Sequence, residues 1–352
     1  MPSAARKSFS TPEQPDRRRE IAVPVDETYY PNLIAHAFGV MGLTNSRDDY
    51  TPLLKDVRER FASRAGRLVG MESVFAFKPP VAGGPMFSFI YAIPAGTGAR
   101  NLAEVRQVYS LMKQCLDEGR LDPLYQAHPH VRHGWHRFYA KPWLGLMFSG
   151  EPDLKKILLD AFLDFLVGLA MDHFDAWWAE WRLVIAERAG TLEKRLAHLD
   201  LISAWEDLLG FRYPFAGFSM LLSIPDRTWA SSVGPEAIVS GTRLSDDRLV
   251  AAALHEVGVR MLHPHQVLER LPTQPTPAQY EHLLKCMETA VCVEKQVLAS
   301  RLGIQDLVKD DPFVKAMRLE NLLGEWSAAR GETSLDRLAD MFVKTSAPLQ
   351  TQ

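Results

Sequence analysis

Residues 246–262 read Asp-Asp-Arg-Leu-Val-Ala-Ala-Ala-Leu-His-Glu-Val-Gly-Val-Arg-Met-Leu, a largely apolar run interrupted by His255, Glu256 and Arg260 and closed by His263-Pro264. The pattern predicts a helix from Asp246 to about Leu262 that ends before the proline. A His-Glu pair inside an apolar helix has a specific chemical use. Hydrolytic zinc needs a neutral imidazole as ligand and a carboxylate beside the metal, not on it, to take a proton from bound water. In the H-E-x-x-H arrangement the second histidine lies four residues on, so that both rings share one helical face. Here that position is Val259, which excludes the plain form of the motif.

The flanking segments extend the pattern. Ahead of the helix, Ala237-Ile238-Val239-Ser240 reads as a short strand, followed by Arg243-Leu244-Ser245-Asp246. Behind it, a Pro- and Thr-rich loop from Leu271 to Pro277 leads into a helix from Ala278 to about Ser300 that carries Glu288 and Glu294. Together these segments resemble the HExxxH-type, gluzincin-like zinc metallopeptidases, the family of the tubulin-tyrosine carboxypeptidases and related bacterial proteins. That family places its second histidine five residues on, as H-E-x-G-x-H, and its third ligand, a glutamate, about thirty residues later on another helix. His255-Glu256-Val257-Gly258 is similar to the start of the motif, and Glu288 stands in the position of the third ligand. The resemblance implies a zinc site with His255 and Glu288 as ligands and Glu256 as general base.

One position departs from the family pattern. Arg260 stands where the second ligand histidine would be, and a permanently charged guanidinium cannot ligate zinc. Other ligands remain open to consideration. His263, eight residues beyond His255, is about 80° around a regular helix but about 12 Å along it. Chain reversal at Pro264 would bring back His265. Cys292 follows Glu288 by one turn, and the segment from His128 to His136 holds four histidines in nine residues. Arg260 itself has two functional readings: it pairs with Glu256 or Glu288 and replaces the metal with an ion pair, or it clamps a substrate carboxylate. Tyr213 and Tyr280 are candidate oxyanion donors, and Glu294, six residues past Glu288, falls on another face.

The remaining sequence sets the frame. Residues 1–25 read as a disordered tail, 26–150 as an N-terminal α/β region and 151–345 as a zincin-like helical region. Helical spacing runs through 29–70, 102–118, 153–209 and 306–342. Apolar or alternating runs at Met71–Phe77, Met86–Ala92 and Phe218–Ser223 read as strands. The fold expected is α+β, predominantly helical, with a small sheet and a zincin-like catalytic region.

Forty Lys and Arg against 43 Asp and Glu leave no global field to draw the chain onto nucleic acid or an anionic membrane. The most apolar stretch, Ile157 to Ala170, is interrupted by Asp160 and Asp164 and is too short to span a bilayer. Three cysteines in 352 residues and no apolar secretory segment near Met1 fit a reducing cytoplasm.

Three functions follow as expectations. One is a zinc-dependent carboxypeptidase-like hydrolase acting on a peptide or protein C-terminus. Another is a metal-free pseudo-peptidase that binds a peptide or small molecule. The last is a non-hydrolytic metal enzyme that uses the His128–His136 loop.

Overall fold

The computed structural model describes residues 20–41, 55–69, 88–129, 131, 148, 150–215, 217–224, 230–234, 236–273, 275–309 and 320–346. In chain order the principal elements are β1 (Ile21–Ala22), α1 (Tyr29–Met41), α2 (Lys55–Val69), α3 (Leu102–Glu118), α4 (Pro152–Leu169), α5 (Asp175–Leu199) and α6 (Leu201–Leu209). There follow β2 (Phe218–Ser223), β3 (Ser231–Ser232), β4 (Ala237–Gly241), α7 (Asp246–Met261), α8 (Pro277–Arg301), α9 (Glu320–Ala328) and α10 (Ser334–Ser346). The described chain is predominantly helical with one small sheet. None of its helices is long and apolar enough to cross a membrane.

The sheet order is β1-β2-β4-β3. β1 and β4 run parallel to β2, with Ile21 opposite Phe218 and Met220 opposite Ile238, and β3 is an antiparallel edge with Ser232 opposite Ile238. Strand β1 lies inside the stretch whose polar composition reads as a tail. Two residues, Ile21 and Ala22, find a ladder to join, and a pairing partner almost two hundred residues away leaves no mark on local composition. Helix α1 is bound to the sheet through Asn32, which is fully buried. Its Nδ2 donates to Leu222 O at 2.9 Å and to Thr28 O at 2.8 Å, and its Oδ1 accepts from Ile224 N at 2.9 Å.

Residues 88–92, read from sequence as part of a strand, instead form one turn of π-helix that runs into a helical turn, Ile93–Gly96. A continuous apolar run does not distinguish a buried strand from a buried helical segment. Burial of Ile90, Tyr91 and Ala92, with Tyr30 Oη donating to Ile90 O, satisfies this segment without a strand partner. The expected strand at 71–77 lies outside the described residues. The long helical region over 153–209 is divided into α4, a π-turn at Ala170–Phe174, α5 and α6. Asp200, at φ 43°, makes the sharp break between α5 and α6.

Helix α7 is the buried axis of the C-terminal half. Ser245 caps it by accepting from Arg248 N at 3.3 Å, and Asp246 and Asp247 in its first turn complement the helix dipole. From Leu249 to Met261 every residue but Glu256 is buried. Three consecutive alanines, Ala251 to Ala253, let neighbouring elements approach closely. Helices α6 and α8 both pack on α7. Helix α8 begins with a capping box in which Thr276 and Gln279 satisfy each other's backbone N–H groups, and Pro277 sits in its first turn.

Candidate functional site

The side chains that the sequence singles out on α7 divide between two neighbours. Glu256 and Arg260, one turn apart, face the β3–β4 edge. His255, a step round the helix, faces α8.

Arg260 is completely buried. Its Nη1 donates to Glu256 Oε2 at 2.6 Å and to Glu256 O at 3.0 Å. Its Nη2 donates to Ser232 Oγ at 2.9 Å, Gly234 O at 3.0 Å and Ala237 O at 3.3 Å. The Phe218 ring lies under the guanidinium, 4.8 Å from its carbon to the ring centroid. Arg260 therefore ties the end of α7 to the turn between β3 and β4, and both of its terminal nitrogens donate within the chain. This is the ion-pair arrangement rather than a clamp held open toward solvent. Glu256, the candidate base, keeps 13% of its side chain exposed and has the guanidinium against one oxygen.

His255 is buried between two residues of α8. Its Nε2 stands 3.3 Å from Glu288 Oε2, and its Nδ1 stands 3.3 Å from Lys295 Nζ. Glu288 and Lys295 are seven residues apart, two turns along one helical face. Lys295 is 1% exposed. An ammonium has only donors, so with Lys295 charged Nδ1 is the acceptor in that contact. The Glu288 Oε2 atom is buried and has no aligned hydrogen bond among the described residues, so its approach to His255 is a close contact without hydrogen-bond geometry.

The fit of zinc to this donor set is incomplete. His255 Nε2 and Glu288 Oε2 are spaced as two ligands of one tetrahedral ion with bonds of about 2 Å would be. Among the described residues, however, no third His, Cys, Asp or Glu joins them in a group suited to a metal, whereas a catalytic zinc takes three protein ligands. The second nitrogen of His255 meets a cation, and the candidate base is bonded to another.

The alternative ligands go elsewhere. His263 is the N-cap of the short helix Pro264–Val267, its Nδ1 accepting from His265 N at 3.2 Å, and His265 is exposed. Cys292 is buried in the body of α8. Glu294 accepts from Ser334 Oγ at 3.1 Å and lies 3.8 Å from Arg337, binding α8 to α10. Burial raises the Tyr280 hydroxyl to about 12. Tyr213 is buried beside Phe215. Of the His128–His136 segment, only residues 128, 129 and 131 are among those described.

Lys295, Ser232 and Trp205 were not singled out by the motif. Lys295 has a sequence signal: it continues the spacing Leu284, Glu288, Val291, Leu298, where a buried face calls for an apolar residue. Trp205 donates from Nε1 to Leu254 O at 2.9 Å, one residue before His255. No family model, curated protein or solved structure matches this chain, so the chemistry of the site rests on its own residues.

Proposed function

We propose that this chain is a metal-free pseudo-peptidase, a zincin-like helical scaffold that binds a peptide C-terminus or a small molecule instead of hydrolysing it. The observation that carries the reading is the buried Arg260–Glu256 pair at 2.6 Å. A general base must present a carboxylate free to accept a proton from water. Here a permanently charged guanidinium occupies one of its oxygens and fills the helix position from which a second ligand would reach the ion. An internal cation beside the carboxylate balances charge that a metal would otherwise balance. Elemental analysis of purified protein, before and after zinc is supplied, tests this: no stoichiometric zinc is expected, and one equivalent per chain overturns it.

A specific observation favours the hydrolase as second reading. His255 Nε2 and Glu288 Oε2 keep a separation of 3.3 Å, and that Glu288 oxygen has no aligned hydrogen bond among the described residues. If zinc is found, Glu256→Gln should abolish turnover of a peptide substrate and leave zinc content unchanged, since Glu256 is the base and not a ligand in that reading.

A further inference from the structure

Resting on the metal-free reading, a second residue takes part in excluding the ion. Arg260 acts on Glu256 and on the missing ligand position. It leaves His255 and Glu288 close enough to share a metal. What acts on that pair is Lys295, whose Nζ stands 3.3 Å from His255 Nδ1 in a site where both side chains are almost fully buried.

A histidine that ligates metal through one nitrogen carries its proton on the other and donates it to a carboxylate, a backbone carbonyl or water. That outer partner must be an acceptor. At His255 the outer partner is an ammonium, which only donates, so the polarity of the outer shell is reversed. The ring proton is driven onto Nε2, the nitrogen that faces Glu288, and Nε2 then has no lone pair to give. The same ammonium opposes a dication electrostatically in a poorly solvated site.

We propose that Lys295 is the gatekeeper of this site: by donating to His255 Nδ1 it fixes the imidazole in the Nε2–H form and prevents the His255–Glu288 pair from taking a divalent metal. The exclusion thus has two independent parts, Arg260 at the base and Lys295 at the donors.

The natural protein supplies the first test. With histidine nitrogens labelled, NMR should show His255 protonated at Nε2 and bare at Nδ1, and a proton on Nδ1 overturns the proposal. The second test is zinc titration, with a competing chelator, of wild type, Arg260→His and Arg260→His/Lys295→Gln. The glutamine carbonyl can accept a proton from Nδ1, which restores an ordinary outer shell. The double variant should bind zinc at least about tenfold tighter than Arg260→His, since outer-shell partners typically change metal affinity by about 10–100-fold. Equal affinity of the two variants, or no binding by the double variant, overturns the role of Lys295 and leaves the metal-free reading standing. Stoichiometric zinc in the wild type overturns the metal-free reading and, with it, the role of Lys295. Should the double variant not fold, Lys295→Gln alone decides by NMR: the proton must shift toward Nδ1, and an unchanged ring sinks the proposal.

Discussion

Gly258 lies against the indole of Trp205 so closely that a Cβ at position 258 would stand 2.5 Å from Cζ2 of the ring. The ring has little freedom to retreat, because it is fully buried and its Nε1 is bonded to Leu254 O on the same helix. Helices α6 and α7 meet at this contact, and it sets how far His255 and Glu256 stand from the rest of the core.

Gly258→Ala should therefore destabilise the protein. Alanine favours a helix interior by about 1 kcal/mol over glycine, but overpacking a dense core typically costs about 1–3 kcal/mol. The contact here is with a ring rather than a flexible chain end, and the balance falls on the destabilising side by about 1–2 kcal/mol. Denaturant unfolding checks it. A neutral or stabilised variant would show that the two helices are not this close.

The same glycine shows what the sequence carried. It was read as part of a zinc motif, yet a packing reason suffices for it, and no local pattern points to an indole fifty-three residues upstream. Elements with strong local signals were legible: β2 at Phe218–Ser223, α3 at Leu102–Glu118, and α7 with its terminal His263-Pro264. The pairing of Glu256 with Arg260 follows from one-turn spacing on one helix. The meeting of His255 with Lys295 does not, because it depends on the register of α8 against α7, which only the packed core sets. The part of the apolar run at 88–92 is helical rather than extended for the complementary reason, that apolarity reports burial and not conformation.

The Arg260–Glu256 pair should show strong coupling in a double-mutant cycle. Removing one partner of a buried ion pair strands the other charge and costs about 3–5 kcal/mol. Arg260→Met should reach that range, since it also leaves Ser232, Gly234 and Ala237 without their shared donor. Glu256, partly exposed, should cost less when changed to Gln. In the double variant the losses should be smaller than the sum by about 1–3 kcal/mol. Additive losses would mean that the ion pair contributes nothing beyond its separate hydrogen bonds.

Stability should fall on mild acidification through the buried His36 on α1 and its neighbour His173. Burial, and then the neighbouring His173 ring, hold His36 well below the ordinary histidine range, with the contact between Nδ1 and Asn32 O acting weakly in the opposite direction. His173 is itself lowered, first by burial and then by Arg60. The two rings are 5.7 Å apart, and Trp177 and Phe174 pack edge-on against His36. The folded state thus binds these protons less readily than the unfolded chain, whose histidines titrate near about 6.5. Their contribution is present above that pH and is lost as pH falls toward the folded-state values. Unfolding free energies between pH 7 and pH 5 should drop more steeply for wild type than for His36→Phe. Parallel slopes would remove His36 from the explanation.

Asn32 offers a test of how the first helix is tied to the sheet. Its amide makes two donations and one acceptance, to Thr28 O, Leu222 O and from Ile224 N, and none of these is open to water because the side chain is fully buried. Asn32→Ala leaves the Leu222 carbonyl and the Ile224 N–H at the end of β2 unsatisfied, at about 1–3 kcal/mol for each buried group so stranded. Asn32→Asp keeps the acceptor for Ile224 N but places carboxylate oxygens against two carbonyls, in a site with no cation among its bonded partners. It should therefore be at least as damaging as alanine, although it is nearly the same size. Chemical denaturation of the two variants separates the explanations: if Asn32→Asp is close to wild type, the residue serves by shape alone, and the hydrogen-bonded bridge between α1 and β2 is not what holds them together.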